Sequence, residues 1–492
     1  MEAKWSAREK RRAKWDRIQV KDGVITNREY LSYSLGGFGE NLIYWYISGY
    51  LMIFYTDILL VPAAAVGVMF LITRLFDAIN DFGMGAIVDR TRTKRGKMRP
   101  YLFIAPVPLA LTSVLLFTAP ELSPGWRIAY MYITYVLWSV FYTISDVPYT
   151  SLVAALTPKL EERTKLISYS KLLASLTASF PPVLISLLSM LKDRGVAGLI
   201  AKDNARIYFS VAALFALIMA CCIFSCYKGT TERIPQSETK PSFKECFTYL
   251  FTNKPLLLVM LTSLLMFPRS IQSTVQIYVA TYLMGGPQWV FFLGIPMVAA
   301  TIVTMAVTPW FIRKFGPWKT YLWSIILYMI PFTILYFIGF QNLTMIVIFS
   351  FLYVVTTGPH NIVPPILIAD CVDYMEFKTG QRAEGVSFAV QTFMVKAIAA
   401  FQSLFVGLML AWFGYVEPRL VNGSLVEQAQ STFTQNGIWA MYTIIPSLGC
   451  LLCIVPLLFY KLRGKRMDDI REQLAMKRAA AAEAQNEAPL NA

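Results

Sequence analysis

Charged side chains inside apolar segments are the residues of this chain best placed to do chemistry, because a charge at a bilayer centre costs about 2.5–3.5 kcal/mol by insertion scales. The segment TRLFDAINDFGMG places Arg74, Asp77 and Asp81 at i, i+3 and i+7 on one helical face, with Asn80 beside Asp81. Two carboxylates one turn apart supply oxygen ligands for Na⁺ or Li⁺, or they share a proton. A purely structural ion pair with Arg74 is the alternative.

A second acidic position lies among hydroxyl groups in the segment YTISDVPYTSL. Asp146 is surrounded there by Tyr142, Thr143, Ser145 and Tyr149. A carboxylate accepts hydrogen bonds from sugar hydroxyls while an aromatic ring covers the apolar face of the sugar. We therefore predict a sugar-binding aspartate, and a helix-packing Asp146 is the alternative.

Two lysines and one glutamate complete the set of candidates within apolar segments. Lys171 and Lys396 are isolated cations, and we expect them to pair with carboxylates across a cavity. Lys171 lies near a segment end, so its amine can instead reach the interface. Glu40 follows the run GGFG, whose small residues permit close helix approach, and Asn41 is its polar neighbour.

The segment TTGPHNIVPPILIADCVDY contains the only histidine of the chain, His360, between a proline and an asparagine. It serves either as a proton relay or, more commonly in such a setting, as a structural residue. Charges of both signs follow it around the next loop and predict an inner gate or latch, with a solvated face as the alternative. The residues of this predicted gate are Asp370, Asp373, Glu376, Arg382 and Glu384.

Composition excludes the main soluble classes. Of 492 residues, 56% are hydrophobic and only 15% are charged, whereas soluble proteins carry about 25% charged residues. The seven cysteines show neither metal-ligand spacing nor disulfide clustering. No phosphate-cradling GxxxxGK[ST] motif occurs, and no nucleophile and base stand at reactive spacing, so an enzyme or a nucleotide-driven pump is not expected.

Apolar runs between charge clusters predict an all-α integral membrane protein with twelve transmembrane helices in two six-helix bundles. We expect a basic arm at 1–29, bundles at 30–228 and 255–462, a central loop at 229–254 and a tail at 463–492. The predicted spans are 31–55, 64–88, 100–119, 128–154, 166–190, 207–227, 255–284, 288–312, 319–340, 344–370, 384–413 and 437–460.

The basic residues predict the orientation. With the N-terminus inside, 35 of the 45 lysines and arginines fall in cytosolic segments and 6 in outer loops, as the positive-inside rule requires. Both termini are then cytoplasmic in a multi-pass protein of the inner (plasma) membrane. The net charge of +15 is accounted for by this topology, so no nucleic-acid partner is expected.

The motifs TRLFDAINDFGMGAIVDRTRTKRGKMRP, YTISDVPYTSL and ADCVDYMEFKTGQRAEG, in this order, together resemble the glycoside–pentoside–hexuronide:cation symporters, the melibiose permease-like family of the major facilitator superfamily. The resemblance implies a cation site at Asp77, Asp81, Asn80 and Thr143. It also implies that sugar is held at positions matching Asp146, Tyr142, Lys171 and Lys396.

The chain departs from the family pattern at two positions. The acidic sugar ligand of span 1 aligns with Asn41, while Glu40 stands one residue away and about 100° around the helix. The tryptophan that stacks on the sugar aligns with Thr150. These departures leave the sugar unidentified.

The expected function is import of a sugar or glycoside by symport with Na⁺ or H⁺, by alternating access between the two bundles. Li⁺ is a possible substitute ion, and no other metal or cofactor is expected. The expected partners are the sugar and the lipid bilayer, with a monomer as the working unit. A flippase or a multidrug or lipid exporter on the same fold is the alternative.

Overall fold

The structure is a computed structural model that describes residues 25–487, except 92, 94–95, 158–159, 196–202, 234–251, 357, 380–383, 422–423 and 427. The chain divides into two compact units. The first is Met1–Thr239 with Val416–Ala429, and the second is Lys240–Tyr415 with Gln430–Ala492.

The first unit contains eight helices in the part of the chain that the structure describes. A five-residue π-helical turn, Phe54–Ile58, continues the first of them. The helices are α1 (Asn27–Ile53), α2 (Ala63–Arg90), α3 (Arg99–Ile104), α4 (Pro106–Leu115), α5 (Pro124–Leu156), α6 (Leu160–Thr177), α7 (Phe180–Asp193) and α8 (Asn204–Gly229).

The described residues of the second unit form ten helices, with a π-helical turn at Val279–Leu283 and a 3₁₀ turn at Pro287–Trp289. The helices are α9 (Lys254–Leu265), α10 (Phe267–Tyr278), α11 (Val290–Phe315), α12 (Pro317–Ile338), α13 (Leu343–Val355), α14 (Gly358–Thr379), α15 (Glu384–Trp412), α16 (Thr432–Tyr442), α17 (Ile444–Phe459) and α18 (Lys465–Glu487).

Proline explains several of the breaks between short helices. Pro106 begins α4 directly after Ala105, and Pro268 lies in the first turn of α10. Proline has no backbone N–H, so it fits the first turn of a new helix and interrupts a continuous one. The apolar runs 100–119 and 255–284 are therefore each built from two helical pieces.

Seven helical segments of the described chain are long and apolar enough to cross a bilayer, and nine qualify if each of two bent pairs counts as one span. The bent pairs are α13 with α14 and α16 with α17, at 43° and 41°. The other three predicted spans correspond to α1, to α3 with α4, and to α11. Helices α3 and α4 are each too short to span alone.

The all-α class is confirmed, with one small addition. Strands β1 (Arg419–Val421) and β2 (Ser424–Val426) form an antiparallel hairpin, with Arg419 opposite Val426. In the chain this hairpin falls between α15 and α16, in a segment that we predicted only as a loop. Two strands of three residues are too few to define a sheet layer.

The predicted cytosolic tail contains a long helix, α18, which packs on α14. Its buried residues Met467, Ile470 and Leu474 are spaced three and four apart, as on one helical face. The Lys477 ammonium lies 4.4 Å from the centre of the Phe377 ring. The start of the tail is therefore a structural part of the second unit.

The run GGFG in α1 allows the close packing that organises the first unit. A Cβ atom on Gly37 would overlap the Tyr149 hydroxyl of α5 and the Ser170 hydroxyl of α6. A Cβ atom on Gly39 would lie 2.7 Å from the Cys222 Cβ atom of α8. Only glycine permits these approaches, so α1 lies in direct contact with three helices.

We expect Gly37→Ala to destabilise the protein by about 1–3 kcal/mol, because the added methyl group overpacks the junction of α1, α5 and α6. The matched control is Gly49→Ala in the same helix, where no atom lies within 4 Å of the added Cβ position. Thermal unfolding of the purified variants in detergent measures the difference. Equal melting temperatures for the two variants would contradict the packing assigned to Gly37.

Candidate functional site: a carboxylate cluster in the first bundle

The middle of α2 places a buried ion pair inside the first unit. Arg74 and Asp77 are 8% and 5% exposed, and the Arg74 Nη1 atom lies 3.7 Å from the Asp77 Oδ2 atom. The guanidinium also lies over two rings, 5.8 Å from the centre of Tyr44 and 5.9 Å from that of Tyr135. Arg74 is thus stabilised by one carboxylate and two aromatic faces.

Helix α5 presents two hydroxyl groups to the carboxylates of α2. The Thr143 hydroxyl donates a hydrogen bond to the Asp81 Oδ1 atom at 3.0 Å. The Ser139 hydroxyl donates to the Asp77 Oδ1 atom. Thr143 was a predicted cation ligand, whereas Ser139 was not; its spacing of four residues before Thr143, on the same helical face, was the available signal.

This arrangement has the oxygen chemistry that a small cation needs. When a hydroxyl donates its proton to a carboxylate, its own lone pairs remain available to a cation. Asn80 lies next in the chain to Asp81, and its Nδ2 atom is buried without a hydrogen-bond partner among the described residues. The predicted cation-site residues Asp77, Asp81 and Thr143 are thus joined through α2 and α5, with Ser139 added.

Glu40, not Asn41, is the polar residue of α1 that points to α5. The Glu40 side chain is 1% exposed and accepts a hydrogen bond from the Ser145 hydroxyl, next to Asp146. The Asn41 amide instead donates to the Gly37 carbonyl of its own helix at 2.9 Å. The structure therefore places the acidic group of α1 one residue earlier than the resemblance aligned it.

The aromatic and hydroxyl candidates of α5 make different kinds of contact. The Tyr142 ring stacks on Trp138, with centroids 5.0 Å apart, and remains half-buried. The Tyr149 hydroxyl donates to the Tyr33 carbonyl at 3.0 Å, so it joins helices. The Thr150 hydroxyl donates to the Asp146 carbonyl of its own helix at 2.9 Å. Of the three, Tyr142 is best placed to contact a ligand.

The two predicted lysines occupy different units. Lys171 is exposed on α6 and forms no ion pair among the described residues, which agrees with the interfacial alternative. Lys396 is half-buried within α15 of the second unit.

One of the predicted gate residues contacts the predicted tail. Asp370, 3% exposed, is bound by Arg471 of α18. Asp373 and Glu376 are half-buried on α14. Arg382 and the Glu384 side chain lie outside the described residues.

We expect Thr143→Val to lower the free energy of unfolding by about 1–3 kcal/mol, because it removes the donor to a carboxylate and keeps the shape of the side chain. We also expect Na⁺ or Li⁺ to raise the melting temperature of the natural chain, and Thr143→Val to reduce that rise. Thr150→Val is the matched control, since its hydroxyl bonds only to its own helix. Indistinguishable melting curves for the two variants, with and without Na⁺, would remove Thr143 from the site.

Comparison with known proteins identifies the family. The model of the MFS/sugar transport protein family matches residues 32–464. The isoprimeverose transporter of Lactiplantibacillus pentosus is 31% identical over 471 residues, covering 94% of this chain and 95% of the relative. The inner membrane symporter YicJ of Escherichia coli K12 is 30% identical over 467 residues, covering 93% and 96%.

A solved structure supports the same fold. A mutant form of the nucleoside transporter NupG aligns with a TM-score of 0.62 at 11% identity, covering 88% of this chain and 100% of that one. At this identity the likeness extends to the fold alone, while the family match spans most of the sequence. The chain is a membrane transporter, not an enzyme, and it belongs to the MFS/sugar transport protein family.

Proposed function

We propose that this protein is a secondary active symporter that imports a sugar or glycoside together with one monovalent cation. The observation that carries the proposal is the cluster of Asp77, Asp81, Ser139 and Thr143, in which two carboxylates and two hydroxyls from α2 and α5 are hydrogen-bonded. Its oxygen atoms suit Na⁺, Li⁺ or a proton.

The contact of Arg74 with Asp77 supports a monovalent ion over a divalent one. Arg74 already offsets the charge of the Asp77 carboxylate. A divalent cation would add two positive charges beside this guanidinium in an apolar setting, whereas Na⁺ or H⁺ adds one.

Coupling follows if the sugar site shares helix α5 with the cation site. Asp146 lies three residues beyond Thr143, so a ligand at one position affects the orientation of the other. Cation binding then raises sugar affinity, and sugar binding raises cation affinity by the same factor. The filled site favours the transition of alternating access.

The substrate class rests on Asp146, Tyr142 and the family. A carboxylate beside a stacked ring fits a hydroxyl-rich ligand, and a relative carries the name of an isoprimeverose transporter. We further propose a location in the inner membrane with both termini in the cytoplasm, and function as a monomer within the lipid bilayer.

Reconstitution into proteoliposomes tests the proposal. With a panel of labelled mono- and disaccharides that includes isoprimeverose, we expect an inward Na⁺ or H⁺ gradient to drive uptake above equilibrium. Asp81→Asn should abolish gradient-driven accumulation, a loss of more than tenfold, while sugar exchange without a gradient persists. The control is Glu121→Gln, an exposed loop carboxylate. Equal uptake with and without every gradient would refute symport.

Glu40 and Asn41 should respond differently to substitution. We expect Glu40→Gln to reduce transport at least tenfold, because it replaces the buried carboxyl group that bonds to Ser145 beside the sugar position. Asn41→Ala should stay within about twofold, since the Asn41 amide bonds to its own helix. The initial rate of uptake in the same proteoliposomes measures both. A larger effect at Asn41 than at Glu40 would reverse the assignment.

A further inference from the structure

The second unit contains a half-buried arginine, with one fully buried guanidinium nitrogen, that neither the cation site nor the sugar site accounts for. Arg269 lies in α10, and its Nη1 atom is fully buried with no hydrogen-bond partner among the described residues. The guanidinium carbon lies 6.0 Å from the centre of the Tyr328 ring of α12. We call Arg269, Tyr328 and His360 the Arg269 cluster.

Two other polar atoms of the cluster are also left without partners. The Tyr328 side chain is fully buried, and its hydroxyl has no hydrogen-bond partner in the described part of the chain. The His360 ring lies 6.4 Å from the Tyr328 ring, centre to centre. His360 is 9% exposed, and its Nε2 atom is likewise buried without a partner.

Most helices of the second unit contain no carboxylate that could compensate Arg269. Helices α9, α10, α11, α12, α13, α16 and α17 contain no Asp or Glu. The first acidic residue of α14, Asp370, is ten positions beyond His360, or about 15 Å along the helix, and it is bound to Arg471. The single acidic residue of α15 is Glu384, at its first position.

The buried nitrogen of this guanidinium requires a partner. A contact with one ring face is weaker than a hydrogen-bonded ion pair, and a buried donor without a hydrogen-bond partner is destabilising. Guanidinium and tyrosine hydroxyl are both hydrogen-bond donors, and together they form a binding set for an anion. The enclosure of Tyr328 restricts that anion to a compact one.

His360 adds an acceptor to the cluster. Its Nδ1 atom lies 3.0 Å from the Thr356 carbonyl; since a carbonyl only accepts, Nδ1 carries the hydrogen, and Nε2 of the neutral ring is an acceptor. A water molecule that accompanies the anion can donate to Nε2, as buried waters do at polar sites. The cluster therefore offers both a place for a compact anion and a site for its water.

From this geometry we propose that the second bundle binds a compact monovalent anionic group at Arg269 and Tyr328. The group is either free chloride or the acid group of a transported substrate, since both present the same chemistry to a guanidinium. The substrate as the source of this group rests on the proposed function, whereas free chloride as its source does not.

Binding of [³⁶Cl]chloride to the purified full chain, by equilibrium dialysis against HEPES, tests the first source. We expect saturable binding approaching one chloride per chain and its loss in Arg269→Gln. The matched control is Arg463→Gln, whose guanidinium also lies over a ring, 4.1 Å from the centre of Trp318, but on an exposed residue; this variant should bind chloride as the natural chain does.

Tyr328→Phe provides a second test if Arg269→Gln does not fold. It keeps the ring and removes the hydroxyl, so we expect chloride affinity to fall about tenfold. Unchanged affinity in Tyr328→Phe would overturn the proposal, as would equal binding by Arg269→Gln and the natural chain.

Labelled glucuronate, used as a probe for an organic acid, tests the second source. Binding of glucuronate that depends on Arg269, without chloride binding, assigns the site to the substrate. Absence of saturable binding of both probes to the natural chain would overturn the inference. Because these measurements use neither a gradient nor a neutral sugar, their failure would leave symport standing, and failure of symport would leave a chloride result standing.

Discussion

A charge enclosed by apolar helices must be compensated by groups in direct contact with it, because water is not there to solvate it. The contact of Arg74 with Asp77 meets this requirement in the first unit, and Tyr44, Tyr135 and Ser139 also contact the pair. The other carboxylate in the middle of α2, Asp81, is bonded to Thr143. Compensation of this kind requires α2 and α5 to be packed against each other at a fixed register.

The backbone must bring these helices close enough for such contacts to form. The glycines of α1 remove the side chains that would otherwise separate it from α5, α6 and α8. The close approach brings Glu40 within hydrogen-bonding reach of Ser145. Close packing and buried polar contacts are therefore coupled, since a wider separation would leave the Glu40 carboxyl group without a donor.

The need to compensate a buried charge also explains the role of α18 in the second unit. Asp370 is buried on α14, and its compensating guanidinium comes from Arg471 of the tail. The apolar face of α18 holds that arginine in place through Met467, Ile470 and Leu474. Arg269 lacks a compensating group of this kind among the described residues, which distinguishes it from the buried charges Arg74 and Asp370.

The sequence by itself determined the membrane class and the helical segments, and it showed which acidic residues lie within those segments; it also predicted the orientation. These properties depend on composition and on periodicity, which are local along the chain. It also predicted that Arg74, Asp77 and Asp81 share a face, because a helix has a fixed repeat.

Only the tertiary structure decided which polar residues meet. The sequence left Glu40 and Asn41 equivalent, and it did not identify Ser139 as a partner of Asp77 or Arg471 as a partner of Asp370. Nor did it show that Tyr149 serves helix packing while Tyr142 stays half-buried. Such contacts join residues far apart in the chain, and they depend on helix rotation and spacing, which are set by packing and not by local sequence.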